Sequence, residues 1–575
     1  MAIKSFFEQF QVRSSVQSAD TTIDFSTKPQ MLAQRMEDHL TSIQRRIDSD
    51  AICIIGNPVI KCDSPFIRLC EANRANDIDA QAILTEADVA KLAMQLDIHA
   101  WVPEKIFPGV FMKSPSCKSK ASGGRWCRAK ILHGLDQQRY YITKEYICYK
   151  CMPASRSNQS ERKARIRKQK QFQADSPEAL AVLPAYVRQA WQFTNSGKII
   201  CEAGVIDYVR ALATRTSWSA IADTINELKE LAWERNTITA YSMICSHMGL
   251  QCNKTNVKFP KDYRLSAEWI RNVYVSDAKK REAEVRFELT NEIGDDVLAM
   301  DWTIDAASRC NGECLFNVMD GNRRILMSSL TKASSPREVQ PLLMSLKQRG
   351  VEPKVIYVDK DCCGIWREII TKIWPAAVVK LDGMHAIKRL TRTASTQHPW
   401  HGRFCAALSN AIYTYDIATM KRLASARKRQ GLQKGIPNHA KSKYVPRVIE
   451  NAEKISNAIE NILEQFTGKH PIAGPLLTSE TMSAWFELKG HILSDCLCDP
   501  SGMTMNKFGD EVCIGGEYFR TVRTSRGASA LEGFHNHQKQ WLGCLARHAA
   551  DAGAALLADG AVRWNRKRRR DIEED

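Results

Sequence analysis

The spacing of apolar residues changes character along the chain. From Asp296 onward three short runs, "DVLAMDWT", "ECLFNVMD" and "RILMSSL", have strand length and are separated by turn-like residues, which predicts an antiparallel meander. Ser335-Pro336-Arg337-Glu338 then sets out a cap, a proline in the first helical turn and a reciprocal glutamate, so a helix is expected to run to about Arg349 and stop before Gly350. "KVIYV" and "AAVVKL" follow as apolar strands, with a helix between them that carries Trp366, Ile369 and Ile373. Strands that alternate with helices in this way pair in parallel through crossovers. Upstream, "GVIDYVRALATRTSWSAIADTINEL" has helical periodicity and places Ile206, Val209, Leu212, Ile221, Ile225 and Leu228 on buried faces. The expected class is α/β and multidomain: a mixed sheet flanked by helices, preceded by smaller modules.

At 575 residues the chain has room for several cores. Composition shifts divide it into a polar leader over 1–49, with an amphipathic helix around Met31 to Ile47, and a cysteine-containing module over 50–151. A basic linker over 152–176 and a helical subdomain over 177–290 follow. The mixed-sheet domain spans 296–565, with an insertion over about 390–525, and a basic tail occupies 566–575. No apolar stretch is long enough to cross a bilayer as one helix, so no membrane role is expected. The N-terminal residues lack the pattern of a secretory signal. Nineteen cysteines, an odd number in a chain without that signal, point to reduced thiols and metal ligation rather than a disulfide framework.

The balance of 82 Lys and Arg against 64 Asp and Glu leaves a net charge of +18, which suits a polyanionic partner. The surplus is clustered. "SERKARIRKQKQ" (Ser160 to Gln171) and "RKRRR" (Arg566 to Arg570) are dense basic blocks, the second resembling a nuclear import signal. DNA as partner and a nuclear location are the expectations.

Three strands, a helix, a strand, a helix and a strand is the element order of an RNase H-like core. In such a sheet the first strand is central and the fourth lies beside it, so Asp301 in "LAMDWT" and Asp359 after "VIYV" should meet in one cleft. Two carboxylates held close repel unless a cation separates them, and magnesium, or manganese in its place, suits an all-oxygen site on phosphate chemistry. The candidate third acid is Glu532, at the start of a late helix marked by Leu531, Phe534, Trp541 and Leu545. Ser529 to Glu532 also reads as a capping box, which would give Glu532 a purely local task.

The motifs "MDWT" at Asp301, "YVDKDCC" at Asp359, "VVKLDGMHAIKRL" at Asp382, "LSNAIYTYD", and "SRGASALEGFH" at Glu532 followed by "RWNRKR" occur in order. Together they resemble the catalytic domain of eukaryotic cut-and-paste DNA transposases, and more narrowly a group of transposon-derived proteins that join a cysteine-bearing module to that domain. The resemblance spans roughly Asp296 to Arg568. It implies that Asp301, Asp359 and Glu532 bind the metal ions, that Asp382 and His385 form a (C/D)-x-x-H motif, and that Lys388 and Arg389 on the same helix hold phosphates or a flipped base. Asp382 as the third acid is the second ranking. The long stretch between His385 and Glu532 is expected to be a mostly helical insertion of the kind that contacts DNA ends. Within it "ARKRQGLQKG" (Ala426 to Gly435) either tracks a phosphate backbone or is a solvated helix face. The need to handle two DNA ends implies a homo-oligomer.

Two upstream features complete the reading. Cys148-Tyr149-Lys150-Cys151 is a C-x-x-C knuckle, and Cys117 belongs to a second knuckle in which Ser114 stands where the resembled proteins carry cysteine. A zinc site over Cys117, Cys148 and Cys151 then needs Cys127 or His133 as its fourth ligand. The alternative is a ribbon that folds without metal. "IDYVRALATRTSWSAIADTINEL" resembles a helix-turn-helix, with Ser217 capping a second helix that turns Ser219, Asp223 and Asn226 outward; a plain helical hairpin has the same pattern. The vicinal Cys362 and Cys363 are read as buried structural thiols without chemistry of their own. The functional expectation is a DNA transposase; the rivals are a domesticated DNA-binding protein without catalysis and a cellular RNase H-like nuclease.

Overall fold

The computed structural model describes residues 40–49, 59–60, 97–135, 138–151, 171–191, 193–195, 199–248, 259, 263–310, 312–432, 435–543 and 550–573. The chain is an α/β multidomain protein with mixed sheets flanked by helices. It forms two compact units, Met1–Tyr208 with Ala222–Ala267, and Val209–Ile221 with Glu268–Asp575. No helix among the described residues is long and apolar enough to cross a membrane.

The first unit is built on an eight-stranded sheet whose central strand, Gln138–Ile147, pairs in parallel with Ile98–Trp101 and antiparallel with Ser122–Trp126, Lys130–His133 and Gln171–Gln173. Trp101, Tyr141 and Tyr146 are its largest buried side chains. In the described part of the expected leader helix, residues 40–48, Leu40, Ile43 and Ile47 recur at helical spacing and bury into this core.

The boundaries expected at 151 and 177 do not hold. Gln171–Gln173, Phe193–Asn195 and Ile200–Glu202 all join the same sheet. Phe172 and Phe193 pack on its core, so the cysteine module needs these later strands to be closed. The basic block over 152–170 lies outside the described residues.

Further along, Ser217 caps the helix Trp218–Met248, its Oγ accepting the Ala220 N–H at 3.2 Å. Ser219 and Asp223 are exposed as expected, but Asn226 is not. It is buried, and its amide makes two hydrogen bonds, 2.9 and 2.8 Å, with the backbone of Leu265. Leu228, expected in the core, is exposed. The face assignment fails at these two positions because a long-range amide clamp outweighs the apolar pattern.

In the second unit, β1 (Val297–Thr303), β2 (Cys314–Asp320) and β3 (Ile325–Thr331) form the meander. Helix α1 (Pro336–Gln348), β4 (Val355–Val358), α2 (Ile365–Ile373) and β5 (Val378–Leu381) follow. The sheet order is β3-β2-β1-β4-β5, with β4 parallel to both β1 and β5. The expected stop after α1 is present: Gly350 lies at φ +87°. The expected reciprocal cap is not. Glu338 turns instead to the backbone N–H groups of Lys332 and Ala333, at 2.6 and 2.9 Å, and fastens the loop that precedes the helix.

Strand alternation sorts the sheet into two faces. Leu298, Met300, Phe316, Val318, Ile356 and Val358 meet α1 and α2, where Trp366 and Leu343 are fully buried. The opposite face carries Val297, Ala299, Met319, Val355 and Tyr357. It is covered by α9 (Ser529–Trp541), which supplies Leu531 and Phe534, and by α10 (Ala550–Glu573), which supplies Ala561. Each such aliphatic or aromatic side chain stabilises by about 1.5–3 kcal/mol on burial, so α9 is held firmly against the sheet.

Between β5 and α9 lie α3 (Gly383–Thr391), α4 (His401–Ile412), α5 (Ile417–Arg429), α6 (Asn438–Tyr444), α7 (Ala452–Phe466) and α8 (Ser479–Leu493). A hairpin, β6 (Asn506–Ile514) and β7 (Glu517–Thr524), closes the insertion and was not expected from the sequence. Leu408, Ile459 and Trp485 belong to the same core as the sheet, so the insertion is continuous with this unit. Arg422 and Arg429 of α5 pair with Glu517 of the hairpin at 2.6 and 2.8 Å, which occupies part of the basic stretch.

The tail over 566–575 is likewise not a free basic segment. Residues up to Glu573 are the last turns of α10, where Arg566 pairs with Glu288 and Arg569 reaches Glu292 at 3.2 Å.

Candidate functional site

The site is a consequence of register. Asp301 is an odd-numbered residue of β1, so it shares a face with Val297 and Ala299 and looks toward α9. Asn317 of β2 stands directly opposite it. On the other side Val355 pairs with Val297 and Tyr357 with Ala299, and Asp359 and Asp301 each follow two residues later along their chains. Both acids therefore leave parallel neighbouring strands at the same end.

Helix α9 adds the third. Leu531 and Phe534 are buried against the sheet, while Glu532 and His535, one turn apart, face the acids. His535 Nδ1 lies 4.0 Å from Asp301 Oδ2 and 3.9 Å from Glu532 Oε2. One turn further, Gln538 and Asn317 exchange amide hydrogen bonds of 3.0 and 3.1 Å and fix the helix on β2. The capping box over Ser529 to Glu532 does not form: the cap position is Ala528 and no side chain fills it. The Glu532 carboxylate points into the cleft instead.

Helix α3 supplies the counter-charges. Asp382 caps it through the His385 N–H at 2.8 Å and also meets His385 Nδ1 at 3.1 Å. Its second oxygen accepts the N–H of Ala528, just ahead of α9. Gly527, at φ +74°, leaves no room for a Cβ, which would run into Asp382 Oδ2. Both Asp382 oxygens are thus engaged in joining the start of α3 to the start of α9. His385 Nε2 stands 3.8 Å from Glu532 Oε1, Lys388 donates to the same oxygen at 2.6 Å, and Arg389 donates to the Asp359 carbonyl at 3.2 Å.

Atoms of Asp301, His385 and Glu532 lie within 4.8 Å of one another. Asp359 lines the same cleft outside this tight group, together with Lys360, Lys388, Arg389, Arg392 and Lys539. Burial pushes the Asp301 carboxyl up to about 7, with Asp359 and Glu532 adding to the effect and His385 opposing it. Burial raises Asp359 as well, against the pull of His385 and Lys360. Burial would also raise Glu532 and Asp382, but hydrogen bonds from Lys388 and His385 respectively hold both below the ordinary range. For His385 burial opposes protonation, and the hydrogen bond and charge of Asp382 outweigh it, so its pKa is raised. Burial lowers His535 to about 4 and keeps it neutral at physiological pH.

Compared with known proteins, the chain matches no protein-family model and no curated protein. Function therefore rests on the site itself.

A second cluster lies in the first unit. Cys117 Sγ is 3.5 Å from Cys148 Sγ and 3.3 Å from Cys151 Sγ, and Ser114 Oγ is 3.3 Å from Cys151 Sγ. The three thiols form a group that can hold a metal ion. Neither residue proposed as the fourth ligand joins them. Cys127 is outside the group, its thiol pushed up to about 11 by burial, and the His133 ring meets the Lys229 ammonium at 3.0 Å. The fourth corner is the buried Ser114 hydroxyl, a poor zinc ligand where a thiolate would complete the set. Ser114→Cys is expected to tighten zinc binding by at least about tenfold, the scale on which even neighbouring shells of a metal site act. Competition against a chromophoric chelator would measure it.

Cys362 and Cys363 do not stand alone either. His491 of α8 and Cys496, just after that helix, close on them to give a four-member group. His535 is a further member of the cleft, signalled in the sequence only by its place three residues after Glu532 on one helix.

Proposed function

We propose that the chain is a DNA transposase of the RNase H-like class that cleaves and joins DNA strands at one cleft. The single observation that carries this reading is the convergence of Asp301, Asp359 and Glu532 on a five-stranded sheet of order 3-2-1-4-5. The placement of a long insertion between β5 and α9, and the resemblance of the ordered motifs, support it further.

The acids fit divalent cations. Asp301 is nearly fully buried with its carboxyl pushed up to about 7, and Asp359 Oδ1 is buried with no hydrogen-bond partner among the described residues. Oxygen donors of this kind suit Mg2+ or Mn2+. Asp301, Asp359 and Glu532 would hold the ions, which when bound supply a polarised attacking oxygen and a stabilised leaving oxygen.

The remaining residues hold the substrate. Lys388, Arg389, Lys360 and Arg392 rim the cleft and bind the phosphates. His385, whose pKa the hydrogen bond and charge of Asp382 raise against burial, adds positive charge beside Glu532 when it is protonated. His535 stays neutral and packs Glu532 in place. Water attack on a phosphodiester releases a 3′-hydroxyl, and that hydroxyl is the nucleophile for the joining step, in which one phosphodiester forms as another breaks. The partners are transposon ends and target DNA in the nucleus, handled by a homo-oligomer, with the zinc-type module of the first unit docking DNA.

Asp359→Asn tests the reading. Cleavage of a labelled end substrate in Mg2+ is expected to fall about 10³-fold, the order set by several kcal/mol of lost charge stabilisation. Full retained cleavage would overturn the assignment. A domesticated DNA-binding protein is the second reading, favoured by Ser114 standing in the thiol cluster. An excision reporter with the natural chain separates the two, because only the transposase gives excision products.

A further inference from the structure

We propose that Cys362, Cys363, His491 and Cys496 form a structural zinc site that ties the turn after Asp359 to the end of the helical insertion. The four donor atoms come from two distant segments and lie within 4.8 Å of one another. A tetrahedral ion with Zn–S of about 2.3 Å and Zn–N of about 2.0–2.1 Å sets donor–donor edges of roughly 3.5–3.8 Å. Cys362 Sγ to Cys363 Sγ is 3.8 Å, and His491 Nδ1 stands 3.2 and 3.5 Å from these two sulfurs. The Cys363–Cys496 edge, 2.9 Å, is shorter and must open by about 1 Å to accept the ion. It is also well beyond the bond length of a disulfide, about 2.05 Å.

The backbone holds the donors in place. Asp361, at φ +53°, makes the tight turn that brings both adjacent thiols to one side. Cys496 is pinned at the other end: its carbonyl accepts the Leu381 N–H of β5 at 2.8 Å and its N–H donates to the His491 carbonyl at 3.1 Å. Lys380 donates to the Asp495 carbonyl at 2.6 Å and fastens the same loop. Three thiolates and one Zn2+ leave a net negative charge, and the Arg367 guanidinium, 3.9 Å from Cys363 Sγ, offsets it.

Buried thiols are common as small apolar groups. What separates this cluster is an imidazole nitrogen directed at two sulfurs, with a third thiol from across the fold. The ion would brace the turn that carries Asp359, and His491 also lines the cleft.

The test uses the full-length chain, purified without a metal-affinity tag, with zinc measured by mass spectrometry of the digested protein. Cys148→Ser serves as background to remove the contribution of the other thiol cluster. In that background we expect one zinc per chain, lost in Cys363→Ser and in His491→Ala and kept in Cys405→Ser. Cobalt loading should give thiolate-to-cobalt charge-transfer absorption that disappears with the same two variants. Cys363 is exposed, so its variant retains the packing, and circular dichroism checks that it is folded. No zinc in the background protein, zinc unchanged in folded Cys363→Ser, or a Cys363–Cys496 disulfide in non-reducing peptide maps would overturn the proposal. Each of these is read without DNA and leaves the strand-cleavage reading untouched.

Discussion

Asp301→Asn is expected to remove strand cleavage, by about 10³-fold or more, while making the metal-free protein more stable. The two effects share one cause. Asp301 is 5% exposed and its carboxyl is raised from 3.8 to about 7, chiefly by burial and then by the neighbouring acids. A carboxyl whose folded pKa lies above its unfolded one contributes stability below the unfolded value and loses it as pH rises through the folded value. Metal-free protein should therefore lose stability between about pH 4 and pH 7, by on the order of 3–4 kcal/mol for this group. Asparagine carries no charge and escapes the loss. Melting curves of the two proteins should coincide near pH 4 and separate above pH 7, with the variant higher. Added Mg2+ should raise the melting temperature of the natural chain and leave the variant almost unmoved. A variant that melts lower at every pH would contradict this account of the site.

Asp382→Asn should also reduce cleavage, yet with the opposite effect on stability. Its carboxylate accepts hydrogen bonds from the backbone and ring of His385 and from the N–H of Ala528, and these hold its pKa below the ordinary value despite burial. An amide places an NH2 against one of those donors, leaving a buried donor unmatched at a cost of roughly 2–4 kcal/mol. A depressed carboxyl contributes stability above its unfolded pKa, so the deficit is complete at neutral pH and shrinks on acidification. His385 should lose its raised pKa as well, which NMR titration of its ring would show. Activity should fall by about 10–100-fold, the usual scale for a residue that orients the groups binding a metal. The opposed stability signs of the two asparagine variants distinguish a buried acid that needs a cation from one already satisfied by the fold.

Much of this was readable in the chain because strands covered on both faces are nearly continuous apolar runs, and "VLAMDWT" and "VIYV" announce both their own burial and the acids behind them. The helix carrying Trp366 and the stop at Gly350 obey equally local rules. What escaped depends on partners far along the chain. The Asn317–Gln538 exchange joins β2 to α9, and nothing near either residue signals it. His491 and Cys496 lie more than a hundred residues after the thiols they meet, so "DCC" alone looked inert. Ser529 to Glu532 satisfied a capping pattern, but Asp382 takes the Ala528 N–H and Lys388 takes Glu532, and those two long-range bonds override the local one. Asn226 was turned outward by its helical position and inward by the backbone of Leu265. The module boundaries failed for a similar reason: a sheet edge at Gln171–Gln173 is completed across a basic stretch that looks like a linker.

The central claim is that Asp301, Asp359 and Glu532 share divalent cations, and anomalous diffraction from crystals of the full chain grown with MnCl2 tests it most directly. The account predicts manganese peaks between the Asp301 and Asp359 carboxylates and beside Glu532, lost in Asp301→Asn. Crystals that hold manganese elsewhere, or hold none while those side chains stay ordered, would contradict it.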